Sequence, residues 1–177
     1  MVDVLPDIHF SKGICEGCVL GKHPEEKFDK GKTHKAYFTL YLIHSDLMGH
    51  FTHPSISKSR YLLIFVDDFS CFTWIFYLMK NLEVFQYLKD FKALVETQSR
   101  KKIKVLWIDN GKEYVNHEIQ NIFHEERIQL QHTVPYIPQE NEVAEWKNIS
   151  LKEMASCMLH EKPLPQILWD EALNCET

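Results

Sequence analysis

Three carboxylates stand where an α/β chain gathers its chemistry. Asp46 ends a strand-like stretch over 38–45. Asp109 closes another, Val105-Leu106-Trp107-Ile108, and Asn110-Gly111 behind it is a tight-turn pair able to present it. Glu145 follows with 35 residues between it and Asp109, one turn into a helix that follows a proline-containing loop. Hard divalent cations take oxygen ligands, and magnesium is typically held by one or two carboxylates plus water and phosphate oxygens. Two such ions about 4 Å apart can activate a nucleophile and stabilise a leaving oxygen in phosphoryl transfer. Three carboxylates on separated elements meet that need. The chain has 25 acidic residues, however, and Asp-Asn-Gly is also ordinary turn chemistry, so both readings stand at this point.

The elements that must position these groups follow from periodicity. Residues 38–46 read as a strand ending in Asp46. Residues 61–66 are continuously apolar and 72–78 are rich in aromatic and β-branched types, which predicts an antiparallel hairpin turning at 67–70. Asn81 can cap a helix in which Val84, Phe85, Leu88, Phe91, Leu94 and Val95 recur at three- and four-residue steps. A strand ending at Asp109, a short helix over 116–126 and a strand over 128–133 come next. Two prolines make 134–139 a loop. A long helix starts near 141 with Leu151, Met154, Ala155, Met158 and Leu159 as its apolar stripe, and a last helix spans 164–174. The order predicts an α/β fold with a mixed sheet, antiparallel strands first and then parallel strands linked by helices. In parallel crossovers functional groups gather at the carboxyl ends of strands, where Asp46 and Asp109 are placed.

Composition is that of an average globular domain, 45% hydrophobic and 25% charged over 177 residues. The run 61–66 is far shorter than the roughly 20 residues of a membrane helix. Residues 1–10 show no basic region followed by an apolar core, so no signal peptide is expected. Five sparse cysteines suit a reducing compartment, and the expected location is intracellular, nuclear or cytoplasmic. The net charge of -5 argues against a generally phosphate-binding surface. Local clusters matter more: 99–104 reads as a solvated helix end, and Lys147, Asn148 and Lys152 lie on the long helix. Asn148 and Lys152 follow Glu145 by three and seven residues and share its face. Lys152 is therefore either a phosphate contact or a solvated lysine.

The matching wording is ICEGCVLGK, HSDLMG, SRYLLIFVDDFS, FTWIFYL, DNGKEY, QHTVPYIPQENEVAEWKNISL and WDEA, in that order. With these pieces the chain resembles the integrase of copia-type LTR retrotransposons over residues 14–174, most specifically over 131–151. The resemblance implies a ribonuclease-H-like fold and a metal-dependent enzyme that trims element DNA and joins it to a target. It implies Asp46, Asp109 and Glu145 as ligands of Mg²⁺ or Mn²⁺ and as catalytic residues. It also implies DNA as partner and a homo-oligomer. Residues 36–177 would form the catalytic core, and 1–35 a truncated zinc-knuckle remnant and linker. Cys15-Glu16-Gly17-Cys18 is half of a zinc site. The family's two further histidine ligands lie upstream of such a pair, so an incomplete Zn²⁺ site is expected here.

Other residues have plainer readings. Asp67-Asp68 reads as structural. His44 points to the same side of its strand as Asp46, either as a partner behind a ligand or as a plain strand histidine. Cys71, Cys157 and Cys175 read as small core residues. Trp74, Trp107 and Trp169 read as packing. The match breaks near the triad. The family usually has Gly where this chain has Lys112 and Glu142, Arg where it has Trp107 and Trp146, and Pro where it has His50. Two readings follow. One is an integrase core with its triad retained. The other is an inactive retroelement remnant acting at most as a weak nucleic-acid or protein-binding module. A cellular ribonuclease H shares the fold but does not explain the C-x-x-C pair or the run 131–151.

Overall fold

An interior strand shows why residues 61–66 are unbroken in apolar character: both of its faces are covered. In the computed structural model, which describes residues 35–108, 117–132, 142–161 and 163–175, the elements in chain order are as follows. Strands β1 (Leu42–Gly49), β2 (Tyr61–Asp67) and β3 (Thr73–Leu78) lead into helix α1 (Val84–Ser99). Then come β4 (Val105–Ile108), α2 (His117–Glu125), β5 (Gln129–His132), α3 (Glu142–Glu161) and α4 (Trp169–Asn174). The sheet order is β3-β2-β1-β4-β5. β1 pairs antiparallel with β2, and β2 with β3. β1 pairs parallel with β4, and β4 with β5. The mixed sheet expected from the sequence is present.

On one face Leu63 and Phe65 pack with Ile43, Leu106 and Ile108 against Leu88, Phe91 and Val95 of α1. The Phe65 and Phe91 rings stack with centroids 4.0 Å apart. On the other face Leu62, Ile64 and Val66 pack against Ala144, Leu151 and Ala155 of α3 and Trp169 and Leu173 of α4. Alternation along each strand divides the side chains between the two layers.

Several expectations change in detail. The first strand begins at Leu42, not at residue 38. Asp67 is fully buried, and its carboxylate accepts the Leu40 N–H at 2.8 Å, which takes that amide out of the ladder. Leu40 adopts a φ of 66° and buries its side chain. Asp67 also accepts the Ser70 amide at 3.0 Å and the Ser70 hydroxyl at 2.6 Å, so the structural reading of this acid fits. Asn81 opens a short 3-10 turn instead of capping α1, and Glu83 accepts the Met79 and Lys80 amides. Leu164 precedes Pro165 and so is disfavoured in a helix; a 3-10 turn at Gln166–Leu168 comes first and α4 starts at Trp169.

Cys71, Cys157 and Cys175 are not core residues. Cys71 sits at φ 60° in the β2–β3 turn and is exposed, Cys175 follows α4 and is exposed, and Cys157 is half-buried. One lysine of the basic run after α1, Lys102, is paired with an acid on that helix. Glu96 accepts from Lys92 at 3.1 Å, Lys102 at 2.6 Å and the Ile103 amide at 3.1 Å. Burial pushes its carboxyl up, but these donors together hold it below the ordinary glutamate value.

Candidate active site

Asp46 is not at the end of its strand. β1 continues to Gly49 because β2 goes on pairing with it through Leu47↔Leu63, Met48↔Leu62 and Gly49↔Tyr61. Its parallel neighbour β4 stops at Ile108, which pairs with Ser45. Among the described residues, Asp46 thus follows directly on the last β1 residue paired with β4. Asp46 shares a face with Met48, which packs in the layer of α3 and α4.

Helix α3 crosses that face. Its buried stripe is Ala144, Asn148, Leu151 and Ala155. Asn148 is only 5% exposed, and its side-chain amide donates to Asp46 Oδ2. The Leu47 amide donates to Asp46 Oδ1 at 2.9 Å. Both carboxylate oxygens are therefore oriented by N–H donors. The Asn148 Oδ1 is buried and has no hydrogen-bond partner among the described residues. Glu145 lies one turn before Asn148 on α3 and is exposed; Lys152 lies one turn after it and is also exposed; Lys147 is half-buried. The fold brings Asp46, Glu145 and Asn148 into one neighbourhood. Asp109, Cys15 and Cys18 lie outside the described residues, as does Lys112. Among the described residues no group of three or more His, Cys, Asp and Glu side chains could hold a metal ion.

His44 is a buried residue of β1. It is 3% exposed, its Nε2 meets Asp68 Oδ1 at 3.3 Å, and its ring stacks on Trp107 at a centroid distance of 5.8 Å. Its Nδ1 and the Trp107 Nε1 are buried without hydrogen-bond partners among the described residues. Asp68 also accepts the Ala36 amide at 2.5 Å. Burial pushes the Asp68 carboxyl up, but the His44 hydrogen bond and the Ala36 amide outweigh it and hold the group below its ordinary value. Trp146 is 55% exposed on α3, unlike the packed Trp169. His50 is exposed and meets Arg60 Nη1 at 3.3 Å.

The sequence places Asn148 on the face of Glu145 and points to a nucleic-acid contact; the structure adds its bond to Asp46. For that bond the three-residue step from Glu145 was the available signal.

A five-stranded mixed sheet with helices on both faces, and an acid on the strand at its centre, is the ribonuclease-H-like arrangement. Residues 40–138 match the integrase core domain family, and the chain belongs to it. The chain is an LTR-retrotransposon integrase core. It is 34% identical over 171 residues to the retrovirus-related Pol polyprotein from transposon TNT 1-94 of Nicotiana tabacum. That match covers 94% of this chain but only 13% of the relative, so the chain spans a small part of that polyprotein. Its fold matches a chain of the simian T-cell lymphotropic virus intasome in complex with PP2A regulatory subunit B56 gamma. There the TM-score is 0.65 at 20% identity, over 91% of this chain and 55% of that one. The HTLV-2 integrase catalytic core domain in complex with magnesium, in its dimeric form, matches with a TM-score of 0.56 at 20% identity. That alignment covers 78% of this chain and 83% of the other. No helix among the described residues is long and apolar enough to cross a membrane.

Proposed function

We propose that this core carries out metal-dependent phosphoryl transfer on DNA, in the manner of a copia-type integrase, with Asp46, Asp109 and Glu145 as its acidic triad. The observation that carries the reading is the Asn148–Asp46 hydrogen bond, which locks the helix bearing Glu145 onto the strand bearing Asp46. Pairing of Ser45 with Ile108 brings together the residues that immediately precede Asp46 and Asp109 in sequence. This supports one neighbourhood for all three acids.

The donor set suits Mg²⁺ or Mn²⁺. All three side chains offer hard oxygen. The Asp46 oxygens accept N–H bonds from the Leu47 amide and the Asn148 side chain, which set the direction of the carboxylate. The Asn148 Oδ1, without a partner among the described residues, adds a further oxygen beside it. Bound there, a divalent ion supplies charge stabilisation for in-line displacement at phosphorus. This chain's own residues do the rest. Asn148 and the Leu47 amide fix the Asp46 carboxylate, and Glu145 approaches from the next turn of α3. Lys147 and Lys152 offer positive charge to the DNA backbone on the same helix. The HTLV-2 core was obtained with magnesium in dimeric and trimeric forms, which supports the metal and a homo-oligomer here.

A disintegration assay on branched DNA with Mn²⁺ or Mg²⁺ tests the reading beside an Asp109→Asn control. Product from the chain and none from the control is expected. Absence of product from folded protein would leave the inactive-remnant reading, which the exposed Trp146 beside Glu145 favours, because a cation is the better phosphate contact there.

A further inference from the structure

We propose that a cavity between β1, α3 and α4 receives one unpaired nucleobase from a DNA strand end, with Lys152 holding the phosphate attached to it. The inference rests on the DNA reading above and names how that DNA is gripped.

The cavity measures about 330 Å³, near the lower end of the about 300–1,000 Å³ of small-ligand pockets. Met48, Leu159 and the Phe51–Trp169 pair form apolar walls. The two rings meet with centroids 4.6 Å apart, tilted at 40°. The Trp169 Nε1 donates to the His53 carbonyl at 3.2 Å, which fixes that ring. A flat aromatic body suits such walls, because every base has a π-face that stacks irrespective of sequence.

Charge selects an anion beside that body. Among the described residues no carboxylate lines the cavity. Lys152 lines it, is exposed at its mouth, and takes part in none of the ion pairs among the described residues. Its aliphatic stem can lie along the apolar wall with the ammonium in water.

Position ties the cavity to the acids. Met48 follows Asp46 by two residues on the same face of β1, and Lys152 follows Asn148 by one turn of α3. The cavity therefore opens next to the candidate active site, within reach of the nucleotides flanking the reacting phosphate. Bases within a duplex are paired and stacked, so the occupant is an unpaired base. Extrusion costs least where the base is already single-stranded.

The test is binding of the full chain at low salt to duplexes with a short single-stranded overhang. One overhang carries its bases and the other is abasic with the same phosphates. The abasic overhang is expected to bind roughly tenfold more weakly. Ser156→Leu, which fills the cavity from a half-buried lining position, should abolish that difference, whereas Lys152→Ala should weaken both DNAs. A 2-aminopurine in the overhang should lose emission when seated against Trp169 in the unsubstituted protein. This second readout decides the matter if Ser156→Leu does not fold. Equal binding of the two overhangs with unchanged 2-aminopurine emission overturns the cavity assignment and leaves DNA binding standing. Binding of neither overturns the assignment together with the DNA reading beneath it.

Discussion

Replacing Asn148 by Ala separates positioning from packing. The substitution removes a hydrogen bond from a nine-tenths buried amide to the Asp46 carboxylate. Bonds to charged groups contribute about 1.5–3 kcal/mol. The same substitution removes the buried Asn148 Oδ1, which has no partner among the described residues. An unsatisfied buried group costs about 1–3 kcal/mol. The two nearly cancel, and the half-buried Asp46 can recruit water in place of the amide. Net stability should therefore change by no more than about 1 kcal/mol, measured as a shift in urea midpoint at constant slope. Metal affinity should not cancel in this way. A carboxylate without its orienting donor typically loses about 10–100-fold in affinity or activity. Mn²⁺ titration, with free ion followed by electron paramagnetic resonance, reads this without needing turnover. A stability loss of about 3 kcal/mol or more with unchanged Mn²⁺ affinity would refute the reasoning and make Asn148 a packing residue.

Other outcomes follow from the same geometry. Asp68 and Glu96 are both held below their ordinary values of 3.8 and 4.5. Their contribution to stability is therefore fully present above those unfolded-state values and is lost as pH falls through the lower folded ones. Urea midpoints should stay level from neutral pH to about 5 and drop below about 4, and Asp68→Asn should shallow that drop. Gly49 has a φ of 144°, and an added Cβ would lie 2.6 Å from Tyr61 Cδ1 and 2.7 Å from the Arg60 carbonyl. Gly49→Ala should thus destabilise by about 2 kcal/mol or more in thermal or urea unfolding. Purified protein should carry less than one equivalent of cysteine-bound zinc by elemental analysis. One tightly held zinc per chain, lost on Cys15→Ser, would establish a complete site at Cys15 and Cys18 instead.

The sequence by itself determined the class of fold and the lineage. Residues 61–66 are apolar without alternation because both faces of β2 are covered, and α1 and α3 carry three- and four-residue spacings because each buries one face. These are local periodicities, and they survive without knowledge of partners. The acids were legible through turn chemistry and the wording around them. Tertiary structure decided what lies between distant parts of the chain. Asp67 turned Leu40 out of the first strand from 27 positions away. Continued pairing with β2 carried β1 past Asp46. Asn148 reaches Asp46 across 102 positions, and the cavity joins β1 to both closing helices. A residue's periodicity reports which way it faces. Which donor meets which carboxylate is fixed only when α3 packs on the sheet, because hydrogen bonds depend on distance and angle, and the packed layers set both.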